Sequence, residues 1–151
     1  MNYAKIKYFD IVNGPGIRTS LFVSGCSNHC KGCFNPETWN PNFGQKFTEE
    51  KLDDILDSID RPEIKGLSLL GGDPLEYYNL SEVNKIIDKF RDRFGYYKKD
   101  IWMWTGYLLE DIINDPLRWK VVSKVDTLID GRFEITKKNL KFPMGIKSVL
   151  L

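Results

Sequence analysis

The sequence predicts an α/β fold, an incomplete TIM-like barrel of about five βα units on a mostly parallel sheet. Three observations carry that expectation. Short apolar runs alternate with amphipathic stretches along the chain, the grammar of a sheet built from right-handed crossovers. The chain has 151 residues, room for about five units of roughly 30 residues but not for a closed eight-unit barrel of about 250. The apolar runs also end in SerGlyCys, GlyGlyAspPro, TrpThrGlyTyr and AspGlyArgPhe, the glycine-rich, polar spots of the sequence. In parallel-sheet folds the chemistry gathers beyond the C-terminal ends of strands. No repeat, low-complexity segment or linker divides the chain, so one domain over 1–151 is expected.

Each element has its own signal. Thr19 to Ser24 reads as a strand running into a cysteine loop. Thr48 caps a helix whose first turn holds Glu49 and Glu50, and Leu52, Ile55, Leu56 and Ile59 share one face. Gly66 to Leu70 is the next strand, ended by Gly71-Gly72-Asp73-Pro74. A second helix follows, with Val83, Ile86, Ile87, Phe90 and Phe94 facing inward. Asp100 to Trp104 is strand-like and stops at Thr105-Gly106. A short helix spans Tyr107 to Asn114, before Pro116. Val125 to Asp130 is another strand, and Ile146 to Leu151 is read as the last.

Composition narrows the function. Hydrophobic residues are 42% and charged residues 28%, and 22 Lys and Arg against 21 Asp and Glu leave a formal charge of +1. With no basic stripe, a nucleic-acid partner is not expected. No apolar run approaches the roughly 20 residues of a membrane span, so no membrane partner is expected either. The start, MNYAKIKYFD, lacks the apolar stretch of a signal peptide, which predicts a cytoplasmic protein. Thiols stay reduced there, favouring metal binding over crosslinking.

All three cysteines fall within eight residues: Cys26, Cys30 and Cys33, spaced C-x3-C-x2-C. A disulfide framework wants an even number, and a structural zinc site wants four ligands. Three thiolates suit a 4Fe–4S cube that leaves one iron open to a small molecule. Zinc is the alternative, with His29, the only histidine, as fourth ligand. His29 adjoins Cys30, however, with little room to reach the same ion, and reads better as a loop residue over a cluster. Gly71-Gly72-Asp73 could be a plain turn, or glycines admitting a close ligand beside a carboxylate suited to an ammonium. Trp104 to Tyr107 is either a strand end or a cofactor or partner contact. Arg18 and Asp130 are weaker candidates, and Arg18 suits a structural pair with a carboxylate. No P-loop or dinucleotide glycine motif occurs.

C-x3-C-x2-C after a first strand resembles the radical S-adenosylmethionine superfamily. AsnGlyProGlyIleArg (13–18), CysPheAsnProGluThrTrp (33–39), GlyGlyAspPro (71–74), TrpThrGlyTyr (104–107) and LeuIleAspGlyArgPhe (128–133) narrow the likeness. Together they resemble the activating enzymes of anaerobic ribonucleotide reductase, over about residues 5–133. One departure is visible: the chain closes MetGlyIleLysSerValLeuLeu, without a Gly-Ser-x-Asn-Gln tail.

The resemblance implies an oxidoreductase with two cofactors, a 4Fe–4S cluster on Cys26, Cys30 and Cys33 and S-adenosylmethionine on its open iron. Reductive cleavage of the sulfonium would yield methionine and a 5′-deoxyadenosyl radical. That radical would make a glycyl radical on the reductase's large subunit. Gly32, Cys33 and Phe34 would meet the adenine, and Gly71, Gly72 and Asp73 the methionine end, with Thr105 beside them. The implied partners are the large subunit, a low-potential electron donor such as a flavodoxin, and a second copy of the chain in a homodimer. Two rival readings stand beside it: another small radical S-adenosylmethionine enzyme, and a non-enzymatic zinc-binding adaptor.

Overall fold

The computed structural model of the chain describes residues 1–27, 36–131 and 147–150. In chain order the elements are β1 (Asn2–Asp10), β2 (Ile17–Val23), a 3-10 turn (Pro36–Trp39), β3 (Gln45–Lys46), α1 (Glu49–Ile59), β4 (Ile64–Gly71), α2 (Tyr77–Phe94), β5 (Asp100–Trp104), α3 (Leu109–Ile113), α4 (Pro116–Val122), β6 (Thr127–Asp130) and β7 (Lys147–Leu150). The strands form one sheet in the order β3-β1-β2-β4-β5-β6-β7. β2, β4, β5 and β6 are parallel. β1 runs antiparallel to β2, β3 to β1, and β7 to β6.

The α/β class and the parallel centre therefore hold, but the count of units shifts. The final strand returns beside β6 in the opposite sense, so four strands rather than five make the parallel series. β1 has no counterpart in the sequence expectation. Most of its residues are at least partly exposed, and an edge-side strand of that kind lacks the continuous apolar run of a buried parallel one. The expected helix over 107–114 is shorter, α3, and a further helix, α4, follows it. Pro116 opens α4 rather than ending the chain's helical run, because the fixed φ of proline suits the first helical turn. Asp115 caps it, its carboxylate accepting from Leu117 N and Arg118 N.

The register divides the sheet into two faces. Leu21, Val23, Leu67, Leu69, Ile101, Met103 and Leu128 join the helices in the main core. There α1 contributes the expected Leu52, Ile55, Leu56 and Ile59, and Thr48 Oγ1 accepts from Lys51 N as its cap. α2 contributes Val83, Ile86, Ile87, Phe90 and Phe94. Alternate residues, among them Ser20, Phe22, Ser68, Leu70 and Trp102, occupy the opposite face.

Arg18 lies at the pole of the sheet away from the strand C-termini. It is fully buried, donating from Nε to Ser68 Oγ (2.7 Å) and from its terminal nitrogens to Pro15 O and Leu67 O, and it pairs with Asp100 at 2.7 Å. Burial lowers its pKa while Asp100 opposes that shift. Its role is to fasten the 13–16 loop beneath the sheet, the structural pairing expected of it.

Candidate functional site

The C-terminal ends of β2, β4 and β5 deliver three loops to one place: 24–27, 71–76 and 105–107. The first two are joined through backbone. Gly72 N donates to Val23 O at 2.8 Å and Asp73 N to Gly25 O at 2.7 Å. Cys26 N reaches Trp39 O at 3.1 Å. So close an approach explains the paired glycines. A Cβ on Gly71, whose φ is +111°, would lie 2.6 Å from Val23 N, and one on Gly72 would lie 2.5 Å from Gly25 O. These contacts are with backbone, which cannot swing aside. Gly25 is itself left-handed (φ +99°), with the Tyr78 ring where its side chain would be.

Asp73 joins the third loop. Its side chain is wholly buried; Oδ1 accepts from Leu75 N and Thr105 Oγ1, and Oδ2 accepts from Gly106 N at 2.9 Å. Desolvation pushes its carboxyl up to about 6, against the three hydrogen bonds, which favour the ionised form. Thr105 is also buried and already committed, its hydroxyl donating to Asp73 and accepting from Tyr107 N. Hydrogen bonds to this carboxylate come from both the β4 and the β5 loops, and one of its oxygens lies within 4.8 Å of Cys26 Sγ. Asp130, the other acidic candidate, accepts from Leu109 N at 2.8 Å and holds the start of α3.

Three residues of this junction escaped the sequence reading. Asn79 Nδ2 donates to both Ser24 O and Asp73 O, a clamp between two loops. Ser27 and Glu76 are bonded to each other, as described below. Asn79 lies six residues beyond Asp73, on the first turn of α2, and that spacing is the signal that could have exposed it. Glu76 carried no signal distinguishing it from an ordinary acidic residue near a helix start.

Cys26 is half-buried at the mouth of this junction. Its Sγ and one oxygen each of Asp73 and Glu76 lie within 4.8 Å of one another. Cys30 and Cys33, with His29, Gly32 and Phe34, lie outside the described residues. The described surroundings suit a soft-metal ligand: a thiol at a strand end, on backbone anchored by hydrogen bonds to the β4 loop and to Trp39. Protein purified and reconstituted without oxygen should accordingly be brown, with about four irons and matching sulfide per chain. A colourless protein holding one zinc would overturn that assignment.

Comparison with known proteins agrees. The family profile described as "4Fe-4S single cluster domain" matches residues 12–148, which makes the chain a single-cluster iron–sulfur protein. The anaerobic ribonucleoside-triphosphate reductase-activating protein of Enterobacteria phage T4 is 43% identical over 140 residues, 93% of this chain and 84% of that one. Its namesake in Escherichia coli K12 is 43% identical over 135 residues, 88% and 85% of the two chains. That of Vibrio cholerae is 42% identical over the same length, 88% and 84%. The chain belongs to the family of anaerobic ribonucleoside-triphosphate reductase-activating proteins.

Proposed function

We propose that this protein generates a glycyl radical on the large subunit of anaerobic ribonucleotide reductase by reductive cleavage of S-adenosylmethionine. The observation that carries the reading is the family membership, joined to the position of Cys26 just beyond the end of β2, on backbone bonded to the β4 loop. Cys26, Cys30 and Cys33 would hold the 4Fe–4S cluster, which supplies a single low-potential electron to the bound sulfonium. The loop residues Gly32, Cys33 and Phe34 would take the adenine. Gly71, Gly72 and Asp73 would meet the methionine end, the Asp73 carboxylate toward the ligand ammonium and Thr105 beside it.

In this reading the four parallel strands and their helices would form one side of a partial barrel, and the whole of 1–151 would act as one domain. Water and stray C–H bonds must be kept from a primary carbon radical. A partner polypeptide that brings a glycine to the strand ends would close the site and position its Cα hydrogen, and glycine has no side chain to obstruct entry. Among the described residues no helix is long and apolar enough to cross a membrane. A cytoplasmic setting, with a flavodoxin-type electron donor and a homodimeric assembly, completes the proposal.

The test mixes anaerobic protein, S-adenosylmethionine and a low-potential reductant with the reductase large subunit carrying α-deuterated glycine. A glycine-centred electron paramagnetic resonance signal should appear, and deuterium should enter 5′-deoxyadenosine. If the cofactor is cleaved but neither result follows, a small-molecule substrate becomes the better reading.

A further inference from the structure

Glu76 occupies the N-cap of α2, yet its side chain makes no capping bond to that helix. Glutamate is a poor N-cap residue, and this one is only 6% exposed. Its Oε1 instead accepts three hydrogen bonds: from Ser27 N at 3.0 Å, from Ser27 Oγ at 2.8 Å and from Tyr107 Oη at 3.0 Å. Ser27 directly follows the first cluster ligand, and Tyr107 closes the loop after β5. The Tyr107 ring is fixed in turn by the Arg118 guanidinium 3.8 Å above it, and Arg118 donates to Leu75 O. One carboxylate thus links the cysteine loop to the β5 loop, and one of its oxygens lies within 4.8 Å of Cys26 Sγ.

We propose that Glu76 is a positioning residue of the iron–sulfur site, holding Cys26 in register with the 105–107 loop and placing a negative charge beside the ligand thiolate. The inference rests on the cluster assignment above and not on which molecule receives the radical. The two parts of the role separate by substitution. Glu76→Gln keeps a carbonyl oxygen able to accept from Ser27 and Tyr107 but removes the charge. Glu76→Ala removes both.

A negative charge in a poorly screened place opposes addition of an electron to the neighbouring cluster. Both variants should therefore be easier to reduce. At a fixed donor potential near the wild-type midpoint, their ratio of reduced to oxidised cluster should rise about tenfold, equivalent to about 59 mV for one electron. Loop order should distinguish them. Glu76→Gln should give the wild type's single, sharp electron paramagnetic resonance spectrum, whereas Glu76→Ala should give a broadened mixture of spectra and load less iron.

Anaerobic redox titration and spectra of the three loaded proteins test this, with iron analysis of each. If both variants titrate at the wild-type potential with the wild-type line shape, the proposal is overturned, even if thermal stability falls. If Glu76→Ala does not fold, the potential of Glu76→Gln alone decides. A wild-type chain that takes up no cluster would remove the cluster assignment itself, a failure the iron analysis identifies separately.

Discussion

Cys26→Ala should reduce cofactor cleavage below detection while leaving the fold almost unchanged. The residue is half-buried and stands outside the main apolar core. Its backbone bond to Trp39 O is independent of the side chain, as are the bonds that join 23–25 to 72–73. Iron–sulfur assembly is a different matter. With three cysteines in the chain, removal of one leaves two thiolates, and two cannot hold a cube that also keeps one iron for a small molecule. Iron and sulfide analysis, circular dichroism and a cleavage assay on one anaerobic preparation check this. A variant that retains about four irons and cleaves the cofactor would show that Cys26 is not a ligand.

Much of this architecture is legible in the sequence because local and global signals agree there. Thr48, the two glutamates after it and the Leu52-Ile55-Leu56-Ile59 spacing all point to α1. β4 is a mostly buried apolar run ended by glycine, and β5 alternates buried with half-buried residues before Thr105. β1 was not legible because its partner decides it: residues such as Lys5 and Lys7 become strand residues through pairing with Phe22 and Ser20. α4 was hidden by reading Pro116 as a stop when Asp115 before it makes it a start. An iron–sulfur cluster is legible as chemistry, since cysteine spacing is a local fact, and the family profile agrees with it. Its support was not. Ser27 and Glu76, 49 residues apart, meet across a separation that no periodicity reports.

The paired glycines show the same limit. GlyGlyAspPro can be read from sequence as a turn or as a ligand cradle, and the structure gives a third reason for it. Gly71 and Gly72 allow the end of β4 to run against the backbone of Val23 and Gly25. The backbone of Val23 and Gly25 is thus seated on peptide groups of the β4 loop, and Cys26 takes its position from the sheet. A site on rigid strand ends holds its geometry more closely than one on a free loop.

Asp73→Ala should cost about 2–4 kcal/mol of stability and weaken S-adenosylmethionine binding more than a hundredfold. Alanine leaves Leu75 N, Gly106 N and Thr105 Oγ1 without the acceptor they have now, at about 1–3 kcal/mol for each buried group. It also relieves the desolvation of a buried carboxylate. The rise from 3.8 to about 6, net of the hydrogen bonds that oppose it, puts the cost of keeping the group ionised at about 3 kcal/mol above pH 6. Asp73→Asn obtains the same relief but keeps an acceptor for Leu75 and Thr105, losing only the bond to Gly106. It should be within about 1 kcal/mol of wild type at pH 7.

The two chains should then diverge with acid. Because the folded pKa of Asp73 is raised, the folded state binds the proton more tightly than the unfolded state does. Its contribution grows as pH falls through 6 and is complete below 3.8. Metal-free wild type should gain about 1.4 kcal/mol on Asp73→Asn between pH 7 and pH 5, measured by urea unfolding. Cofactor binding decides how the carboxylate acts. If it works by holding Leu75 and Thr105, Asp73→Asn should bind S-adenosylmethionine within about tenfold of wild type, a difference of about 1.4 kcal/mol. An Asn variant that binds as poorly as the Ala variant, though folded, would show instead that the charge itself meets the ligand ammonium.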